Sequence, residues 1–105
     1  MKIEKLHEET LPEGISLCFD ESAFPPPVKV QGGELRALDD MLLIASGGRY
    51  KLYTESRDYV RVLEGNGHVK WARGEFPFCE GDILRIDGVK EYELNGKGRY
   101  CVVRR

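Results

Sequence analysis

From residue 41 onward, short apolar runs alternate with polar residues, and glycine or asparagine interrupts them at nearly even intervals. The runs are Met41–Ala45, Tyr50–Thr54, Tyr59–Leu63, His68–Trp71, Phe76–Phe78, Ile83–Ile86, Tyr92–Leu94 and Arg99–Val103. Successive side chains on a strand point to opposite faces, so a repeat of two assigns each residue to a side. Asp58, Val60 and Val62 fall on one face, with Tyr59, Arg61 and Leu63 on the other. Leu84 and Ile86 share a face opposite Arg85, and Tyr92 and Leu94 share one opposite Glu91 and Glu93. The turn signals are Ser46-Gly47-Gly48, Gly65-Asn66-Gly67, Arg73-Gly74, Glu80-Gly81-Asp82, Asp87-Gly88 and Asn95-Gly96-Lys97-Gly98. Gly65-Asn66-Gly67 reads as a hairpin, because glycine accepts positive φ without steric cost. Only Glu34–Met41 has a pattern that fits a short helix, and its caps are weak. Short, regularly spaced strands with glycine turns predict an all-β sandwich or barrel.

The first 34 residues have a different texture. A short strand is expected at Lys2–Leu6, followed by Pro12, Gly14, Pro25, Pro26, Pro27, Gly32 and Gly33. A triple proline fits neither a helix interior nor a central strand. Residues 1–34 are therefore read as an arm and edge strand wrapping a barrel at 35–105, all within one domain, 1–105. That length suits one core.

Composition narrows the function classes. With 41% hydrophobic and 32% charged residues, the chain is globular rather than disordered. The net charge of −2 and the interspersed Lys and Arg residues predict no nucleic-acid partner. No apolar run approaches the roughly 20 residues of a membrane span. MKIEKLHEE lacks the apolar region of a secretory signal, which points to the cytoplasm and reduced thiols. Cys18, Cys79 and Cys101 have no C-x-x-C spacing, so neither a zinc knuckle nor a disulfide framework is expected. Trp71, Phe76 and Phe78 are read as core or interface aromatics.

Val62-Leu63-Glu64-Gly65-Asn66-Gly67 and Gly81-Asp82-Ile83-Leu84-Arg85-Ile86 together resemble the cupin superfamily. Cupins are double-stranded β-helix (jelly-roll) barrels. Their first motif carries a His-x-His pair, a glutamate and a closing glycine, and their second carries a further histidine. These residues hold a divalent metal in the metal-binding members. Laid on this chain, Gly65 matches the closing glycine and Asp58 stands at the glutamate. The two histidine positions fall on Lys51 and Tyr53, or on Leu52 and Thr54. Gly81 matches the start of the second motif and Tyr92, or with a one-residue gap Glu91, stands at its histidine. Within cupins, the runs VLEGNGHVKW, FPFCEGD and GKGRYCVV look like the C-terminal cupin domain of bacterial class I mannose-6-phosphate isomerases, over about residues 40–105. In that family the zinc site and catalytic residues lie in the larger preceding part. The resemblance thus implies the frame without the usual metal, and neither His7 nor His68 is expected to be a ligand.

The expected fold is a cupin-like jelly-roll barrel with an N-terminal Pro-rich arm. Lys51, Tyr53, Asp58 and Tyr92 are the candidate ligand-binding residues at the barrel mouth, since sugar hydroxyls need paired donors and acceptors beside an aromatic face. Their structural alternative is a polar barrel end with a surface Asp–Lys pair. The expected function is a non-catalytic module that binds a small polar metabolite or carbohydrate, or serves assembly, with no cofactor, no nucleic-acid partner and no membrane. A sugar isomerase- or epimerase-like enzyme is the alternative, with Asp58, Lys51 or Tyr92 moving the proton. A third reading is a homodimer in which the arm and the Lys2–Leu6 strand pair with a second copy.

Overall fold

A computed structural model describes residues 2–7, 20–55 and 57–104. Among these, the chain is antiparallel β throughout, apart from one 3₁₀ turn at Glu21–Ala23. The strands are β1 (Lys2–Leu6), β2 (Val28–Val30), β3 (Gly33–Leu38), β4 (Met41–Ser46), β5 (Arg49–Tyr53), β6 (Asp58–Glu64), β7 (Gly67–Trp71), β8 (Gly74–Phe78), β9 (Ile83–Asp87), β10 (Glu91–Asn95) and β11 (Gly98–Arg104). They form a seven-stranded sheet, β1-β9-β6-β11-β4-β3-β2, facing a four-stranded sheet, β5-β10-β7-β8. No helix among the described residues is long and apolar enough to cross a membrane.

Two expectations give way here. Glu34–Met41 is not helical: Glu34–Leu38 belongs to β3, and Met41 opens β4. Leu35 pairs with Ile44 across the hairpin, and Asp39 closes the turn with φ of 54°, a conformation aspartate tolerates better than most residues. The register with β4 outweighs the weak local helix preference. Val28–Val30 is a strand although three prolines precede it, and it sits at the sheet edge, where proline-flanked strands belong.

Gly65-Asn66-Gly67 is not a hairpin either. It carries the chain from β6 in the large sheet to β7 in the small one. Asn95-Gly96-Lys97-Gly98 makes the return crossing, and the two corners lie back to back. A methyl on Gly67 would strike the Asn95 carbonyl oxygen, and one on Gly98 the Glu64 carbonyl oxygen. Gly65 also takes φ of 94°, open only to glycine at low cost. Tyr100 Oη donates to the Gly96 carbonyl at 2.6 Å, tying the corner to the core. Burial pushes the Tyr100 phenol up to about 12. The Gly81-Asp82 pair has a similar structural task. Asp82 accepts from the Cys79 amide at 2.8 Å while the Gly81 amide donates to Val62 at 2.7 Å.

The core lies between the sheets. Ile44, Tyr50, Leu52, Val60, Val62, Val69, Leu84, Ile86, Tyr92, Leu94, Tyr100 and Val102 all point into it, as the two-residue alternation requires. Phe78 meets Tyr100 edge-to-face at 5.5 Å, and Trp71 and Phe76 pack against the cluster. Tyr59, Ile83 and Val103 form a second cluster on the opposite side of the large sheet. Glu21, in the 3₁₀ turn, takes a 2.7 Å hydrogen bond from Arg99 and pairs with Arg36 at 3.5 Å.

Gly98→Ala is expected to lower unfolding stability by about 1–3 kcal/mol, the usual cost of overpacking. Gly74→Ala, whose new methyl would meet only the Trp71 ring at 3.7 Å, stays within about 0.5 kcal/mol of the parent. Chemical denaturation of both variants checks this, and equal losses would contradict the stacked-corner account.

Candidate functional site

The glycine corners close one end of the barrel. The other end gathers the last residues of β5, β9 and β11 and the first residues of β6 and β10. There the inward alternation of β6 ends on a charge, because Asp58 follows Val60 and Val62 on the core face. Asp58 is completely buried. An uncompensated buried carboxylate would be costly, so its partners define this end of the barrel.

Those partners come from three other places in the chain. Tyr92 Oη on β10 donates to Asp58 Oδ2 at 2.6 Å, a short, charge-assisted bond. Thr54 Oγ1, just beyond β5, donates to Asp58 Oδ1 at 2.9 Å. Arg104, at the end of β11, lies in register with Asp58, its Nε 3.6 Å from Oδ1. Burial raises the Tyr92 phenol well above its ordinary value, and the Asp58 charge raises it further; Arg104 opposes both. The Thr54 amide donates to the Lys90 carbonyl at 2.9 Å, which fastens the loop after β9 to the same unit.

Of the four sequence-identified residues, Asp58 and Tyr92 meet inside the barrel. Lys51 and Tyr53 lie on the opposite face of β5 from Tyr50 and Leu52, so they point outward. The four do not converge on one cavity. Tyr53, 65% exposed, lines an open cleft of ≈ 1180 Å³ across the barrel end with Thr54, Glu55, Arg57, Asp87, Gly88, Val89, Lys90 and Arg104. Within that lining, Arg57 pairs with Asp87 at 3.1 Å. Lys51 instead borders a recess of ≈ 180 Å³ that Tyr92 also lines, with Lys70, Trp71, Ala72, Glu91 and Glu93. His68 lies 3.4 Å from Asn95 and 3.8 Å from Glu75, at the surface.

Arg104 is the residue the sequence reading passed over. Tyr100 and Val102 are both inward, so extending β11 by one step of two places Arg104 on the core face. Ending that strand at Val103 hid the charge. Thr54 was visible only as one alternative for a histidine position.

Of the positions that the sequence resemblance sets against cupin ligands, Leu52, Thr54, Asp58 and Tyr92 are the inward ones. This set does not fit a divalent cation. It offers one carboxylate, whose two oxygens already accept hydroxyl hydrogen bonds. Among the described residues, no three His, Cys, Asp or Glu side chains cluster as a metal site would require.

The raised Tyr92 phenol has a stability consequence. The folded state holds that proton to higher pH than the unfolded chain, so the stabilisation is complete below about pH 10 and falls as pH rises past it. Tyr100 acts in the same direction with its value of about 12. Above pH 10, Tyr92→Phe should therefore lose stability less steeply than the parent, by up to about 1.4 kcal/mol per pH unit. Urea midpoints at pH 8, 10 and 11 check this; parallel curves would show that Tyr92 does not contribute.

No family model and no curated protein matches the chain. Solved structures do. The mannose 6-phosphate isomerase from Bacillus subtilis matches with a TM-score of 0.63 at 14% identity, over 76% of this chain and 28% of that one. The apo enzyme from Salmonella typhimurium matches with a TM-score of 0.55 at 15% identity, over 76% and 22%. The same enzyme bound to substrate (f6p) and zinc gives 0.54 at 14%, with the same coverage. This chain therefore spans about a quarter of their length. At these identities the likeness establishes the fold: an antiparallel β-structure like the cupin-type domain of those isomerases.

Proposed function

We propose that the chain is a non-catalytic cupin-like module that binds a small polar molecule, with carbohydrates as the leading class, in the cleft over the Asp58 cluster. The observation that carries this reading is the cleft itself. It combines an exposed aromatic ring, Tyr53, with hydroxyl, carboxylate and cationic groups from Thr54, Asp87, Lys90 and Arg104. A ring face beside converging donors and acceptors suits polyhydroxyl compounds.

Two features favour binding over catalysis. Asp58 and Tyr92 are 0% and 1% exposed and hydrogen-bonded to each other, so both protonating groups sit below the surface a substrate would reach. Their work is to hold Thr54 and Arg104 in place at the cleft floor. Lys51 lies outside that cleft.

A thermal-shift screen of sugars and polar metabolites tests the proposal. A ligand at ten times its Kd should add about 1.4 kcal/mol of stability. The stabilisation should disappear in Tyr53→Ala, whose side chain is largely exposed. Hits that are indifferent to Tyr53→Ala and to Lys90→Ala would place binding elsewhere, and a screen without hits would defeat the reading.

A further inference from the structure

We infer that the cleft selects ligands carrying an acidic group, a carboxylate or a phosphate ester, and that Arg104 is the residue that receives it. This deepens the binding reading of the same cleft and rests on it.

Arg104 is a half-used cation. Its backbone is fixed by β-pairing and by its amide, which donates to the Asp40 carbonyl at 2.8 Å. Its side chain is 30% exposed where it lines the cleft. Asp58 attracts it without saturating it, because Tyr92 and Thr54 already hydrogen-bond the carboxylate oxygens at 2.6 and 2.9 Å. The guanidinium stops at 3.6 Å, beyond hydrogen-bond range. Its Nε is buried, without a hydrogen-bond partner among the described residues and closed to the cleft, and Tyr92 also engages the guanidinium. A guanidinium placed by Asp58 and Tyr92, on a side chain that stays part-exposed at the cleft, suits a planar or tetrahedral oxyanion.

The remaining charges of the cleft permit this. Arg57 and Asp87 neutralise each other at 3.1 Å. Lys90, Arg104 and Glu55 are the other charged residues of its lining, and Asp58 lies 3.6 Å from Arg104. Val89 and the Tyr53 ring supply apolar surface for the rest of the ligand. Asp58 is a positioning residue in this scheme: it orients Arg104 and is shielded from the ligand.

Glycerol, glycerate and glycerol 3-phosphate form a matched probe set: one carbon skeleton with no acid, a carboxylate or a phosphate. Glucose serves as a neutral sugar. Each is titrated into the ¹⁵N-labelled protein while the amides of Thr54, Val89 and Arg104 are followed by NMR. At least one acidic probe should shift these amides saturably, roughly tenfold or more tightly than glycerol, as one charge-assisted hydrogen bond implies. The tighter of the two acids identifies the source of the anion. Arg104→Gln should abolish this preference, bringing the acidic probes down to the affinity of glycerol. Arg104→Lys keeps the charge and guards against misfolding, and should retain only part of the preference, since a lysine lacks the forked donor. Glucose binding in the cleft with acidic probes no tighter than glycerol would overturn the acidic-group inference and leave the binding reading standing. An acid preference that survives in Arg104→Gln would overturn the role of Arg104. If no probe moves the cleft amides, both inferences fall.

Discussion

A carboxylate sealed inside a β-barrel must be given partners, and this requirement organises the open end of the molecule. Asp58 is completely buried, and it draws a phenol from β10, a hydroxyl from the end of β5 and a guanidinium from the end of β11 to one point. Those groups come from both sheets, so the cluster joins the sheets where apolar packing runs out. Removing one partner would leave the charge under-satisfied in a low-dielectric setting, the costly direction for a buried polar network. The same cluster fixes the floor of the cleft, because Thr54 and Arg104 belong to both.

The opposite end is held by a different constraint. Two sheet-crossing corners approach so closely that each glycine faces a carbonyl oxygen of the other corner. Close backbone approach at one end and a satisfied buried charge at the other let short strands close over a core whose middle is apolar. The likeness to isomerase domains follows from this frame. At its open end this barrel converges hydroxyls and a guanidinium on a carboxylate.

Much of the frame was legible because it obeys a repeat of two. Val60 and Val62, Leu84 and Ile86, and Tyr92 and Leu94 were each assigned to a common face, and each pair lies in the core. The same alternation put Asp58 and Tyr92 inside, where they meet. Partner choice was not legible. Gly65-Asn66-Gly67 has the local chemistry of a hairpin, yet the strands it joins pair with β11, β9, β10 and β8 instead of each other. Glycine content reports the turn and the close approach, but the approaching chain is thirty residues away in sequence. Glu34–Met41 shows the same limit, since its strand state depends on pairing with β4.

The candidate site was half legible for a related reason. Lys51 and Tyr53 share a strand with Leu52, and only the direction of that strand's pleat decides which set faces inward. The core took Tyr50 and Leu52. Arg104 was missed because a charge at the end of an apolar strand looks like its terminus. The central claim is that Asp58 and Tyr92 act as one unit, and a double-mutant cycle with Asp58→Ala and Tyr92→Phe, read by urea denaturation at pH 7, tests it most directly. The account predicts a coupling energy of about 1 kcal/mol or more, because the two groups share a buried, charge-assisted hydrogen bond. Additive single-mutant losses would contradict it.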